Sequence, residues 1–260
     1  METLKIAGYA PVNGLNMYYE VYGDGDMPLV LIHGGGSTIQ VTFGNILPLL
    51  TNHGKLIAVE LQAHGRTSDR DAPESFEQDA DDVAGLLKYL NIPKANFWGF
   101  SNGGSTTMQI AIRHAGIVNK IVVDAGAYRR DGFIPGFFDG MQNVTLADMP
   151  LPLQEAFLKV TPNQDGLQVM FNKDKERMIT FKDWPDAHLQ GIAAPTLFIA
   201  AHNDVVITEH TLKMTRLIPG AKLAILPGVH GSYIGEACNF NPGSKMPALT
   251  AILVEEFLRG

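Results

Sequence analysis

The chain has a single cysteine, Cys238, among its 260 residues. One thiol closes no intramolecular disulfide, and no cysteine or histidine spacing of the kind that holds a metal accompanies it. No apolar run is long enough to span a bilayer. No block of lysines and arginines occurs, and the formal net charge is −7. Nucleic acid and anionic membranes are therefore excluded as expected partners. The opening residues, METLKIAGYAP, lack the basic segment and apolar stretch of a secretory signal. Internal repeats and low-complexity segments are missing as well. The expectation is a cytoplasmic protein with no cofactor and no metal. A chain of this length buries about three quarters of its unfolded surface, so one sizeable α/β domain, or such a core with an insert, stands without staples.

What is present is a series of short apolar runs bounded by Gly, Pro or Asp. Residues 15–23, LNMYYEVYG, alternate and end at a Gly-Asp turn, which predicts an edge strand. Residues 28–36, 55–62, 95–101, 119–126, 195–204 and 221–228 are continuously apolar, the mark of strands buried on both faces of a mostly parallel sheet. Helical patterns lie between them. In residues 75–92, Ser75 is a candidate N-cap, acids fill the first turns, and Val83, Leu86, Leu87 and Leu90 share a face. Residues 208–220 and 245–259 also read as helices. Strand alternating with helix predicts a doubly wound α/β sheet.

The alternation breaks between residues 127 and 190. That interval holds no clear buried strand but is rich in phenylalanine and methionine. It reads as a helical cap, with residues 1–126 and 191–260 forming the core. Its Phe133, Phe137, Phe138, Met141 and Trp184, together with Gly36 of the core, are candidate pocket residues.

One serine sits between glycines where a strand becomes a helix, in Gly99-Phe100-Ser101-Asn102-Gly103-Gly104. Such a turn lifts its apical residue above the C-terminal edge of the sheet, where ligand crevices lie. The helix that follows aims free N–H groups at the same place. A hydroxyl there can attack a carbonyl, and the Asn102 N–H can hold the oxyanion. The nucleophile needs a base and the base an orienter, each just past a later strand, in the order Ser, acid, His. Asp204 follows the strand ending in FIAAHND, and His230 follows AKLAILPG. Asp124, ending KIVVDAG, is a second candidate acid; Asp204 is preferred because it follows the later strand. The glycines of HGGGS, residues 33–37, offer Gly35, with Gly36 as the alternative, as second oxyanion donor. His33 and His64 read as loop organisers. His202 beside Asp204 has no ligand-spaced partners, and His53, His114, His188 and His210 carry no motif.

Five segments, LIHGGGS (31–37), VELQAHGRTSD (59–69), GFSNGG (99–104), FIAAHND (198–204) and PGVHGS (227–232), run in the order of the α/β-hydrolase fold superfamily. The chain resembles that superfamily over nearly its whole length, and within it the small bacterial capped esterases of the pimeloyl-ACP methyl ester carboxylesterase-like group. The resemblance implies an eight-stranded, mostly parallel sheet with a cap inserted before the strand at residue 195. It implies Ser101 as nucleophile, His230 as base, Asp204 as orienter, and Gly35 and Asn102 as oxyanion donors. Two departures stand out. The usual D-x-R-G-H-G turn reads Glu60-Leu61-Gln62-Ala63-His64-Gly65, and Asn102 follows the nucleophile where Met, Gln or His is commoner.

The expected activity is a serine carboxylesterase acting on a small to medium hydrophobic ester. The same triad also serves carbon–carbon hydrolases, lactonases, amidases and acyltransferases. A ligand-binding receptor of this fold with vestigial hydrolysis is a third reading, from a different class.

Overall fold

The structure is a computed structural model that describes residues 4–50, 54–161 and 164–260. His53 lies outside the described residues. Eight strands form one sheet: β1 (Leu4–Val12), β2 (Leu15–Tyr22), β3 (Leu29–Ile32), β4 (Leu56–Val59), β5 (Ala95–Phe100), β6 (Val118–Asp124), β7 (Thr196–Asn203) and β8 (Lys222–Val229). Their spatial order is β1-β2-β4-β3-β5-β6-β7-β8. The β1–β2 and β2–β4 pairs are antiparallel, and every later pair is parallel. Helices α1 (Ile39–Phe43), α2 (Phe76–Tyr89) and α3 (Asn102–Arg113) connect the first six strands. α4 (Phe137–Asn143), α5 (Leu151–Val160), α6 (Gln164–Thr180) and α7 (Asp186–Gln190) fill the interval between β6 and β7. α8 (Thr208–Leu217) and α9 (Met246–Arg259) complete the core.

β3 and β4 carry apolar residues at every position because both faces of the sheet are covered. Val30 and Ile32 of β3 point into one layer with α2, α3 and α8; Leu29 and Leu31 point into the other with α1 and α9. α2 starts where Ser75 accepts the Gln78 N–H. It has Glu77 and Asp79 in its first turn and Lys88 in its last, both favourable to the helix dipole. Its Val83, Leu86 and Leu87 are fully buried against the sheet.

Two sequence expectations are corrected at the sheet edges. β2 is not an edge strand, since it pairs on both sides; the edge is β1. The Leu4–Val12 segment is mostly exposed and so carries no burial pattern. At the other end β8 is not buried on both faces: it has one neighbour, β7, and its apolar residues are only partly covered. The segment between β6 and β7 is helical, as a cap requires. Met149, Phe157, Leu167 and Met170 make a small core of their own with Ala63, while Met178, Phe181 and Trp184 join the main core.

Candidate active site

The turn from β5 to α3 is tight. A Cβ on Gly99 would lie 1.9 Å from the Gly103 carbonyl oxygen, and one on Gly103 would lie 2.2 Å from that of Ile32. Only glycine lets the helix start this close to the strands. Between them Ser101 takes φ 56° and ψ −119°, a conformation that L residues rarely adopt. The strained turn stands the hydroxyl above the sheet edge, at the mouth of the cavity described below.

His230 directly follows β8, and its Nε2 lies 3.1 Å from Ser101 Oγ. Its Nδ1 lies 2.6 Å from Asp204 Oδ1, just past β7. Nδ1–H donating to Asp204 leaves the Nε2 lone pair to accept the serine hydroxyl. Burial works to lower the affinity of His230 for a proton, but the hydrogen bond and charge of Asp204 outweigh it and hold the pKa above its ordinary value. Burial likewise works to raise the Asp204 carboxyl. The His230 bond and charge, with the N–H groups of Ala201 and Val206, hold it below its usual range instead. Asp204 is not the N-cap of α8, which begins after Ile207.

Gly35 and Asn102 both line the cavity beside Ser101, and among the described residues neither N–H has a backbone or side-chain acceptor. Asn102 is the first residue of α3, where free N–H groups are expected. Gly36 is different. Its N–H donates to the Asp174 carboxylate, so Gly35 is the better-placed donor of the two glycines.

A cavity of about 360 Å³ opens from Ser101 and His230 under α4, α5 and α6. Gly36, Phe133, Phe137 and Met141 line it, with Met149, Leu153, Phe171 and Val206. Phe138 and Trp184 do not, which corrects the sequence expectation for both. Phe138 turns outward under the Arg130 guanidinium, 3.6 Å from its ring centroid. Trp184 is buried edge-on against Phe76 and Phe181. Both rings belong to the cap interval, but Phe138, on α4, packs under Arg130, and Trp184, in the loop between α6 and α7, packs into the main core.

The sequence reading missed Asp174, Arg177, Glu74 and Asp79. Asp174, on α6, lines the cavity and faces His64 Nε2 at 2.9 Å. Arg177, one turn on, is buried between Glu74 and Asp79. Burial opposes a charge on His64, but Asp174 raises its pKa to about 9. The legible signal was a carboxylate on the inward stripe of α6, four residues from both Met170 and Met178. His33 organises its loop: Nδ1–H donates to the Gly34 carbonyl at 2.7 Å, and Nε2 accepts the Leu61 N–H at 3.0 Å. His202 accepts the Gly228 N–H at 3.0 Å.

The family model for the alpha/beta hydrolase fold matches residues 27–167. The chain is 26% identical to serine hydrolase BPHL of Homo sapiens over 249 residues, covering 88% of this chain and 82% of that one. In three dimensions it is similar to the enol-lactonase from Burkholderia xenovorans LB400, with a TM-score of 0.77 at 22% identity, covering 97% of this chain and all of that one. It is equally similar to the meta-cleavage product hydrolase from Pseudomonas fluorescens IP01, with a TM-score of 0.78 at 21% identity and 98% of each chain covered. With more than half its length matched by the family model, the chain belongs to the alpha/beta hydrolase fold family.

Proposed function

We propose that the protein is a serine hydrolase that cleaves neutral carboxylic esters of small to medium size through an acyl-enzyme. One observation carries the reading: Ser101, His230 and Asp204 form a continuous hydrogen-bonded relay that opens into an apolar cavity under the cap. Ser101 Oγ attacks the ester carbonyl as His230 Nε2 takes its proton. The N–H groups of Gly35 and Asn102 receive the oxyanion. His230 then returns the proton to the leaving alcohol, and water repeats the cycle. Asp204 holds the tautomer of His230 and stabilises its cation. The name of the human relative, a serine hydrolase, agrees with this chemistry.

The cavity is near the small end of the range for ligand sites and its walls are mostly Phe, Met, Leu and Val, which suits an apolar substrate of modest length. The names of the structural relatives include an enol-lactonase and a meta-cleavage product hydrolase. The lining argues against substrates that carry a carboxylate of their own. Its charged members are Asp148, Asp174 and Lys175, and the Lys175 ammonium already donates to the carbonyls of Gln142 and Val144 at 2.9 and 2.8 Å. An anionic substrate would meet the Asp148 carboxylate and a lysine whose N–H groups are already turned to the backbone, while Asp174 is itself paired with His64 and Arg177.

Turnover of nitrophenyl esters of graded acyl length, beside a simple lactone and an acidic ring-fission product, tests the reading. Short and medium esters are expected to be cleaved, and Ser101→Ala to lower kcat on the order of a million-fold in a folded protein. Turnover that survives Ser101→Ala rules out the nucleophile, and preference for the acidic substrate rules out the ester assignment.

A further inference from the structure

Asp174 and Arg177 stand apart from the other charged residues of the cap in being buried, and of the two only Asp174 lines the cavity. It enters on α6, is 9% exposed, and faces the core rather than solvent. Its Oδ2 accepts the Gly36 N–H and lies 2.9 Å from His64 Nε2; its Oδ1 lies 3.4 Å from Asn102 Nδ2. The Gly36 N–H and the Asn102 side chain that it touches stand on either side of the candidate oxyanion hole. Gly35 is pressed between the same groups, since a Cβ there would lie 2.5 Å from Asn102 Nδ2 and 3.1 Å from Asp174 Oδ2. Residues 35, 102 and 174 thus meet at one point beside Ser101, although they come from the β3 loop, the start of α3 and the middle of the cap.

We propose that Asp174 is a positioning residue through which the cap completes the oxyanion hole: its carboxylate pins the Gly35–Gly36 turn and the Asn102 side chain, so that the N–H groups of Gly35 and Asn102 converge only when α6 is docked. The proposal rests on the serine-hydrolase reading above. The physical argument is preorganisation. Donors aimed at a developing oxyanion act only if they are held in place beforehand, and the Gly35–Gly36 turn has no side chains of its own with which to hold itself. A carboxylate accepting a backbone N–H makes a charge-assisted bond, which is stronger than a neutral one.

His64 keeps that carboxylate in place. Its Nδ1–H donates to the Gln62 carbonyl at 2.7 Å, and its Nε2 lies 2.9 Å from the Asp174 carboxylate and 3.1 Å from the Gly36 nitrogen. Burial opposes a charge on the ring, but Asp174 raises its pKa to about 9, so at neutral pH Nε2 carries a proton toward the carboxylate and the Gly36 N–H is left to Asp174. The charged groups around His64 are Asp174 and Arg177 from α6, Glu74 at 3.9 Å from the segment before α2, and Asp79 from α2 itself. Its neighbour His33, at 4.9 Å between ring centroids, stays neutral because burial first, and the His64 charge second, push it down to about 3. Once His64 loses its proton, near pH 9, Asp174 loses the nearer of its two cations and keeps only Arg177, 3.6 Å from Oδ1.

The test measures kcat and KM separately on a nitrophenyl ester with the whole protein. Asp174→Ala is expected to lower kcat on the order of 10²-fold, the loss seen when a donor is misplaced or removed, with KM changed by a few-fold at most. Lys173→Ala is the comparison. Lys173 ties the same helix to the core outside the cavity, through Asp69 and the carbonyls of Arg70 and Ala72. It is expected to lower Tm and leave kcat within about twofold. Asp174→Asn keeps an acceptor for the Gly36 N–H and restores much of kcat, and it serves alone if the alanine variant does not fold. With the carboxylate charge gone, His64 loses its proton at lower pH, so the alkaline fall in kcat moves down from near pH 9. A wild-type kcat in Asp174→Ala, an equal loss in Lys173→Ala, or an unmoved alkaline limb in Asp174→Asn overturns the proposal. Ester turnover that is absent in the wild type, or that persists in Ser101→Ala, instead removes the serine-hydrolase reading and the proposal with it.

Discussion

The Ser101 N–H donates to the backbone carbonyl of Asp124 at 2.7 Å, so the second candidate acid lies one strand from the nucleophile. Its side chain nevertheless turns away from His230. Oδ2 accepts the Trp98 indole N–H at 3.2 Å and Oδ1 accepts the Tyr233 hydroxyl. Burial pushes its carboxyl up to about 7 against those two bonds. Asp204→Asn is therefore expected to lower kcat about 10⁴-fold, as loss of the orienter does in a serine triad. Asp124→Asn should keep most of the turnover but lose about 1–3 kcal/mol of stability, because the amide sets a donor against one of its two donors. Kinetics and urea melts of the two variants check this, and the reverse order of damage would move the acid to Asp124.

The pH profile follows from the sign of the His230 shift. The neutral imidazole is the working base, and its folded pKa lies above the ordinary value of about 6.5. Activity is thus lost on acidification at a higher pH than a free histidine would dictate. The acid limb of kcat/KM should have its midpoint above 6.5, and should move to lower pH in the residual activity of Asp204→Asn, which lacks the raising charge. A wild-type midpoint at or below 6.5 contradicts the assignment.

Phe137 and Phe138 are neighbours with different surroundings. Phe137 lines the cavity, whereas Phe138 packs under Arg130. Phe137→Ala should enlarge the acyl site and change the ratio of kcat/KM between long and short esters by about tenfold or more. Phe138→Ala should leave that ratio alone and cost about 1–3 kcal/mol of stability, from the lost cation–π contact and the edge-on contacts with Phe133 and Phe137. Equal effects of the two variants on chain-length preference would mean that neither ring selects substrate.

The elbow is a packing constraint as well as a chemical one. A methyl on Gly99 would overlap the Gly103 carbonyl, which is backbone and cannot swing aside. Gly99→Ala should destabilise by about 3 kcal/mol or more. Gly116→Ala, where a Cβ meets nothing within 4 Å, should stay within about 0.5 kcal/mol of wild type. Thermal melts of the pair decide it, and a Gly99→Ala protein as stable as Gly116→Ala would refute the close approach.

Much of the fold was legible because burial leaves a local trace. β3, β4, β5 and β7 are continuous apolar runs, and α2 shows its cap, its dipole-matched charges and its inward stripe within one stretch of sequence. Ser101, Asp204 and His230 each stand directly after such a run, so their meeting at one sheet edge could be read from chain order. Strand neighbours could not. A strand's own residues report how covered it is, not which strand covers it, and β1 is exposed enough to report nothing. Nor could the sequence separate Phe137 from Phe138, or assign Trp184 to the core, since a cap aromatic gives the same apolar signal whether it faces substrate or the sheet. Asp174 lies 110 residues from His64 and 72 from Asn102, and only the docking of α6 turns a charge on an apolar stripe into the neighbour of Gly36. Contacts of that kind are set by how whole elements pack, and periodicity along one element carries no record of the partner.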